Sequence, residues 1–221
     1  MTGGSYGGTS SGNAGSFTTN ARASTAVISA AIQSGGSTKT FSIADGTAAI
    51  DALMSGNIAS GNLTKTGAGL LAMTGSKAYT GVTTISSGTI AADTLSNGGS
   101  SSSIGAAANT ANKLLLANGA TLQYTGAGSS TDRLFTINGA NAGEGAALDA
   151  SGTGAVNFTN TGGLAYGTGN QTRTLTLRGT SLDDNTLSAL IANNGTGAVS
   201  VSKQDAGRWI LAGANTYNGT T

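Results

Sequence analysis

Few residues in this 221-residue chain are equipped for chemistry, and their spacing keeps them apart. Asp183-Asp184 is the one adjacent acid pair, and Asp183 with Asn185 gives the alternating oxygen pattern of a calcium loop. Such a loop needs several more oxygen ligands at set spacing, so Asp183–Asn185 reads as a solvated turn. Carbohydrate-cleaving enzymes gather carboxylates on one face, with Lys or Arg beside them. Here Asp149, the Asp132/Arg133 pair, Arg178 with Asp183, and the single Glu144 stand scattered. The absence of His removes Ser-His-Asp hydrolysis and imidazole-bound metals. The absence of Cys removes disulfides and thiolate metal sites. The Gly-x-Gly pairs at 67/69, 126/128 and 152/154 never extend to Gly-x-Gly-x-x-Gly, so no phosphate loop is spelled out. No catalytic, cofactor-binding or metal-binding residue is assigned, and the chain reads as a non-enzyme.

Binding chemistry has somewhat more to work with. Thr172, Thr174 and Thr176, with the pair Thr83-Thr84, fit a flat face for ice or glycan. Thr is also a good strand residue that solvates an outward face, and that plainer reading is adopted. Trp209 alternates with Leu211, which points it inward as core, away from any role as a sugar platform. Lys65 and Lys203 read as strand starts beside turns. Charged residues make up 9% of the chain and the net charge is +1. That leaves no field for steering nucleic acid or an anionic membrane surface.

The elements that must position these residues show themselves through repetition. Lys65-Thr66-Gly67-Ala68-Gly69-Leu70-Leu71-Ala72-Met73-Thr74-Gly75 continues to Tyr79-Thr80-Gly81-Val82-Thr83. It returns without a gap as Lys203 to Thr221, with Ala206, Gly207, Gly213, Tyr217, Gly219 and Thr221 identical to their counterparts. Leu71 and Met73 become Trp209 and Leu211, so the apolar alternation of a strand persists. The chain has no Pro and 37 Gly. A strand between two neighbours needs its N–H in the ladder, which Pro cannot supply, and Gly makes the bends.

These residues resemble the passenger-associated transport repeat of bacterial autotransporter passenger domains. Gly88-Thr89-Ile90, Ser103-Ile104-Gly105 and Asn118-Gly119-Ala120-Thr121-Leu122 resemble the stretch that comes after the repeat in that family. Asp205 departs from the pattern where Gly67 keeps it, and Asp is among the few residues tolerated at positive φ. Lys77-Ala78 stands where Asn215-Thr216 keeps the usual Asn-Thr. The resemblance implies an adhesive or stalk-like surface protein, secreted and anchored through a β-barrel outside this chain. It names no ligand, and a host-surface or glycan partner is expected only of the full protein.

The fold expected is all-β: a parallel β-solenoid, read as a right-handed β-helix of nine or ten coils. Asn97-Gly98, Asn118-Gly119 and Asn138-Gly139 are 21 and 20 residues apart, which suits coils of about 20–24 residues. Asn-Gly is also a hairpin signal, and Leu114–Leu116 with Thr121–Tyr124 leaves a hairpin open at Asn118. Thr25–Gln33 and Asp183–Ala192 fit a helical turn as well as a strand. Residues 1–16 are Gly/Ser-rich and read as a linker or frayed edge. Residues 17–221 read as one solenoid, a unit of about 140 residues over 17–157 and a second begun at 158–221. No leader segment opens the chain, and its last motif stops short of the continuation seen after Thr83, so it reads as a fragment of a longer array. Its uncapped ends predict end-to-end self-association.

Overall fold

The computed structural model describes residues 5–6, 10–11, 15–33 and 35–221. Among them the chain winds as a parallel β-solenoid, and every strand pair is parallel. The long sheet stacks nine strands: Ser5–Tyr6, Ala26–Ile28, Ala52–Met54, Leu70–Met73, Thr89–Ala92, Thr121–Tyr124, Glu144–Ala150, Arg173–Arg178 and Val199–Lys203. A second sheet of seven runs from Ser16–Thr18 through Lys39–Ser42, Leu63–Thr66, Thr83–Ile85, Leu114–Leu116 and Thr136–Ile137 to Ala165–Tyr166. A third, of Ala127–Thr131, Gly154–Phe158, Asn185–Leu187 and Trp209–Leu211, forms only in the later coils. Nine stacked strands at about 4.8 Å apart give a sheet about 38 Å long.

Alternation decides which way each side chain points. Along Arg173–Arg178 the residues are alternately buried and half-buried, as a period of two requires. Stacking then converts alternation into files. Leu71, Ile90, Leu122, Leu148 and Leu177 are register partners in successive coils and all face the interior. A single coil cannot cover such a residue, but coils above and below can, at about 1.5–3 kcal/mol for each fully buried Leu or Ile. The same logic stacks the Phe17 and Phe41 rings 5.1 Å apart.

Several local expectations change. Thr25–Gln33 holds two short strands, Ala26–Ile28 and Ile32–Gln33, and Asp183–Ala192 holds Asn185–Leu187; neither is helical. Each strand has parallel neighbours to pair with, and those tertiary bonds override a local apolar spacing. No hairpin forms at Asn118-Gly119, because Leu114–Leu116 and Thr121–Tyr124 pair with different sheets. Asn118 and Asn138 both turn the corner from the second sheet to the long one. Asn97 instead lies in an excursion between Thr89–Ala92 and Leu114–Leu116 that ends in a 3-10 turn at Ala111–Lys113. Coil length therefore varies more than the Asn-Gly spacing predicts: Leu63 pairs with Thr83, but Thr83 pairs with Leu114. Most of the 1–16 stretch lies outside the described residues. Within it Ser5–Tyr6 pairs with the strand at Val27–Ile28, and Ser10–Ser11 with Ile32–Gln33.

Candidate functional site

The repeat is a strand, a tight turn, a second strand and a return loop, and its recurring residues hold that path together from inside. Lys65 does not begin its strand; it is the third of four residues and faces the core beside Phe41 and Ile85. It is fully buried, and its Nζ donates to the carbonyls of Thr66 (2.9 Å), Gly67 (2.7 Å) and Ser87 (3.2 Å). The first two belong to the turn just ahead, the third to the next coil. Burial pulls the amine down from 10.5 to about 8, and the Asp51 carboxylate partly opposes that shift. Gly67 takes φ +77°, and a Cβ there would meet the Ile43 carbonyl oxygen at 2.3 Å, so only Gly fits this corner.

The C-terminal copy repeats these contacts at the same offset. Lys203 Nζ donates to Gln204 O and, at 2.7 Å, to Asp205 O. Asp205 adopts φ +57°, so the turn keeps its left-handed residue without the glycine. Tyr79 Oη lies 2.8 Å from Thr83 Oγ1, and Tyr217 Oη lies 2.8 Å from Thr221 Oγ1. Leu63 N–H donates to Val82 O at 2.9 Å, and Val201 N–H to Thr220 O at 2.9 Å. What differs is cover. Leu71 and Tyr79 are buried; Trp209 and Tyr217 are only half-buried against the core. Trp209 therefore corrects the expectation of a buried core indole: no described coil comes after its own, and its Nε1 donates to Arg178 O at 2.9 Å. Asn215 Oδ1 accepts from Ile191 N at 2.9 Å, a bond its counterpart Lys77 replaces by sending Nζ to Thr74 O at 2.5 Å.

Buried cations are the feature that sequence reasoning missed. Lys39, Lys65, Lys77, Arg133 and Arg173 are all nearly inaccessible. Arg133 donates to Ser96, Ser100, Ile104 and Gly105 carbonyls, and Asp132 accepts from Gly98 N and Asn109 Nδ2, so the pair pins the 94–113 excursion. Arg173 closes the corner below by donating to Gly139, Asn141, Thr168 and Thr172 carbonyls. The signal that was available is position: Lys65, Lys203 and Lys77 sit within two residues of a tight turn whose carbonyls point inward. The carboxylates are engaged similarly. Asp51 accepts from Gly46 N and Leu70 N, Asp93 from Gly75 N and Ser103 Oγ, and Asp149 pairs with Arg178 at 3.2 Å. Asn185 is fully buried, with its amide bonded to Ser181, Asp183 and Arg208 carbonyls and to Val156 N. Asp184 pairs with Arg208 at the surface. Among the described residues no group of acids is gathered to hold a metal.

The outward faces distribute the threonines differently from the sequence reading. Thr83 points inward to Tyr79 and Ile104 O, and only Thr84 faces out. Thr174 and Thr176 face out but are flanked by Gly145 and Ser200 and by Ala147 and Ser202, so no threonine file forms on the long sheet. The second sheet does form one. Thr40, Thr64 and Thr84 are register partners on three coils. Beside them run Ser42, Thr66 and, one residue beyond the strand, Ser86. Ser16 and Thr18 begin the two files on the coil before. Continuing along the second file, the corner opens into a groove of about 690 Å³ lined by Ser86, Asn118, Asn138, Glu144 and Thr168 with Gly139 and Gly167 in the floor. Glu144 is held below the usual carboxylate value by the Asn141 side-chain amide and then its backbone N–H.

Comparison with known proteins agrees with this geometry. The family model described as passenger-associated-transport-repeat matches residues 63–92 and 201–221. The chain is 44% identical over 150 residues to the Adhesin BmaC autotransporter of Brucella suis biovar 1 (strain 1330). That alignment covers 67% of this chain and 4% of the relative, so the chain spans a small part of the relative's length. No solved structure matches the chain. The chain is an autotransporter passenger β-solenoid that carries the passenger-associated transport repeat in two places.

Proposed function

We propose that this solenoid serves as a non-enzymatic adhesive rod displayed on the bacterial surface as part of an autotransporter passenger, held to the outer membrane by a part outside this chain. The observation that carries the reading is how the ionisable groups are used: Lys65, Arg133 and Arg173 direct their donors at the chain's own turn carbonyls. A body built this way keeps its polar chemistry for stiffness and leaves a sparsely charged outer surface for contact. The relative named as an adhesin supports the same assignment. Right-handed winding, the division into units at 17–157 and 158–221, and stacking of molecules end to end through the half-covered last coil belong to this proposal. Fusing the chain between a secretion signal and an autotransporter β-barrel tests it. Antibody-accessible display with cell attachment above that of the barrel alone is expected. Display without any gain in attachment would reduce the role to a stalk, and no display would refute the assignment.

A further inference from the structure

From the outer face of the second sheet and the groove that continues it, we infer a binding track for a neutral, unbranched polysaccharide chain lying parallel to the rod axis. The inference rests on the adhesive reading and names what such a rod would hold.

Three observations carry it. First, all eight outward positions on four successive coils of this sheet are hydroxyl residues, from Ser16 and Thr18 to Thr84 and Ser86. Composition alone does not produce this, because the outward positions of the long sheet mix Val27, Leu53, Ala91, Gln123, Asp149 and Arg178. Second, these side-chain hydroxyls have no hydrogen-bond partner among the described residues, and neither do the Asn138 amide, Asn118 Nδ2 or the Thr168 hydroxyl. Thr174, Thr176 and Ser202 on the long sheet are unpartnered too, but there Gly145 and Ala147 interrupt the rows, whereas on the second sheet the hydroxyls run unbroken over four coils. Third, the first file ends at Leu115, but the second runs on into the groove as Ser86, Ala117, Asn138 and Gly167. Asn118 and Thr168 stand one residue further along their coils, and the coils stack about 4.8 Å apart. A glycan running along the axis presents its rings at a comparable repeat. Hydroxyls and amides both donate and accept, as sugar hydroxyls do.

Charge selects the class. The one cation at the groove among the described residues, Arg173, is buried and its Nη1 and Nη2 face backbone carbonyls. Glu144 remains ionised at the rim. Sulfated and phosphorylated chains therefore meet the Glu144 carboxylate and a cation, Arg173, whose donors are already taken by carbonyls, while neutral chains meet no such repulsion. A peptide strand is not favoured, since the corner's backbone already bonds between coils through Ala117 N to Ile85 O, Asn138 N to Leu116 O and Gly167 N to Ile137 O.

The test is calorimetric titration of the purified chain with cellotetraose, chitotetraose, mannotetraose and a heparin-derived tetrasaccharide, plus pull-down on insoluble cellulose and chitin. At least one neutral tetrasaccharide is expected to bind with Kd near or below about 1 mM. Asn138→Leu and Thr168→Val should each weaken it tenfold or more, and Thr174→Val on the long sheet should leave it unchanged. Because the Thr168 side chain is exposed and unpartnered, that variant keeps the fold, and circular dichroism checks both. No neutral binding at 10-fold higher ligand than the expected Kd, tighter binding of the heparin fragment, or indifference to both groove variants overturns the inference. Ice shaping by the wild-type chain without sugar binding would also overturn it, by assigning the hydroxyl files to ice. Surface display and cell attachment are read separately, so a failed titration leaves the adhesive reading standing and a failed display leaves the titration interpretable.

Discussion

Replacing Lys65 by Met keeps the methylene stem and deletes only the ammonium, which makes it a clean probe of the buried staple. Three carbonyls lose a donor. Thr66 O still accepts from Ile43 N and Gly67 O from Ser87 Oγ, so Ser87 O is the one left bare. An unsatisfied buried carbonyl costs about 1–3 kcal/mol, and weakening two shared ones adds a fraction of about 1 kcal/mol each. Against this, Met has no charge to desolvate, and desolvation is what pulls the Lys65 amine down to about 8. The net expected loss is about 2 kcal/mol, or roughly 4–8 °C in Tm for a chain of this size. Lys203→Met is the internal control. It removes the same side chain from the same turn, but Lys203 and its acceptor residues are exposed, so water replaces the bonds and the change should stay within about 0.5 kcal/mol. Thermal melts followed by circular dichroism at pH 7 compare the two. A Lys65→Met protein as stable as the wild type, or more stable, would mean that desolvation outweighs the three bonds and that the staple argument is wrong.

The pH profile carries a second test. Lys65 and Lys77 drop to about 8 in the fold from 10.5, so between those values the folded chain binds fewer protons than the unfolded one and stability rises with pH. Tyr79, through burial, is pushed above its ordinary 10, and Tyr166 to about 12, so above pH 10 the unfolded chain loses protons first and stability falls. Melting temperature should climb from pH 8 to near 10 and then decline; a steady fall from pH 8 contradicts this. Leu71→Ala, with coils on both sides, should cost about 2–5 kcal/mol, whereas Trp209→Ala should cost less than the 3–5 kcal/mol of a buried aromatic; equal losses in urea melts would show that the last coil is covered. Light scattering over a hundredfold concentration range should show mass rising above the monomer as half-covered ends meet, and a constant monomer mass would exclude stacking.

Much of this molecule is written locally. The return of Lys65–Thr83 as Lys203–Thr221, the alternation of Leu71 with Met73, and the absence of Pro all reflect what a strand inside a parallel stack needs, and they specify the solenoid before any contact is seen. Even the left-handed turn at Asp205 was legible, because few residues other than Gly, Asn and Asp accept it. What lay beyond the sequence is everything set by which coil lies over which. Thr83 and Thr84 are adjacent and alike, yet one is buried and the other faces solvent. Lys65 and Lys203 fill the same motif position, yet only the first has a coil above it. The hydroxyl files on the second sheet exist because steps of 24 and 20 residues bring Thr40, Thr64 and Thr84 into one register, and a one-residue change in either intervening loop would turn the file inward. Local sequence sets the alternation of a strand; loop length sets its register against the next, and only the folded stack decides that.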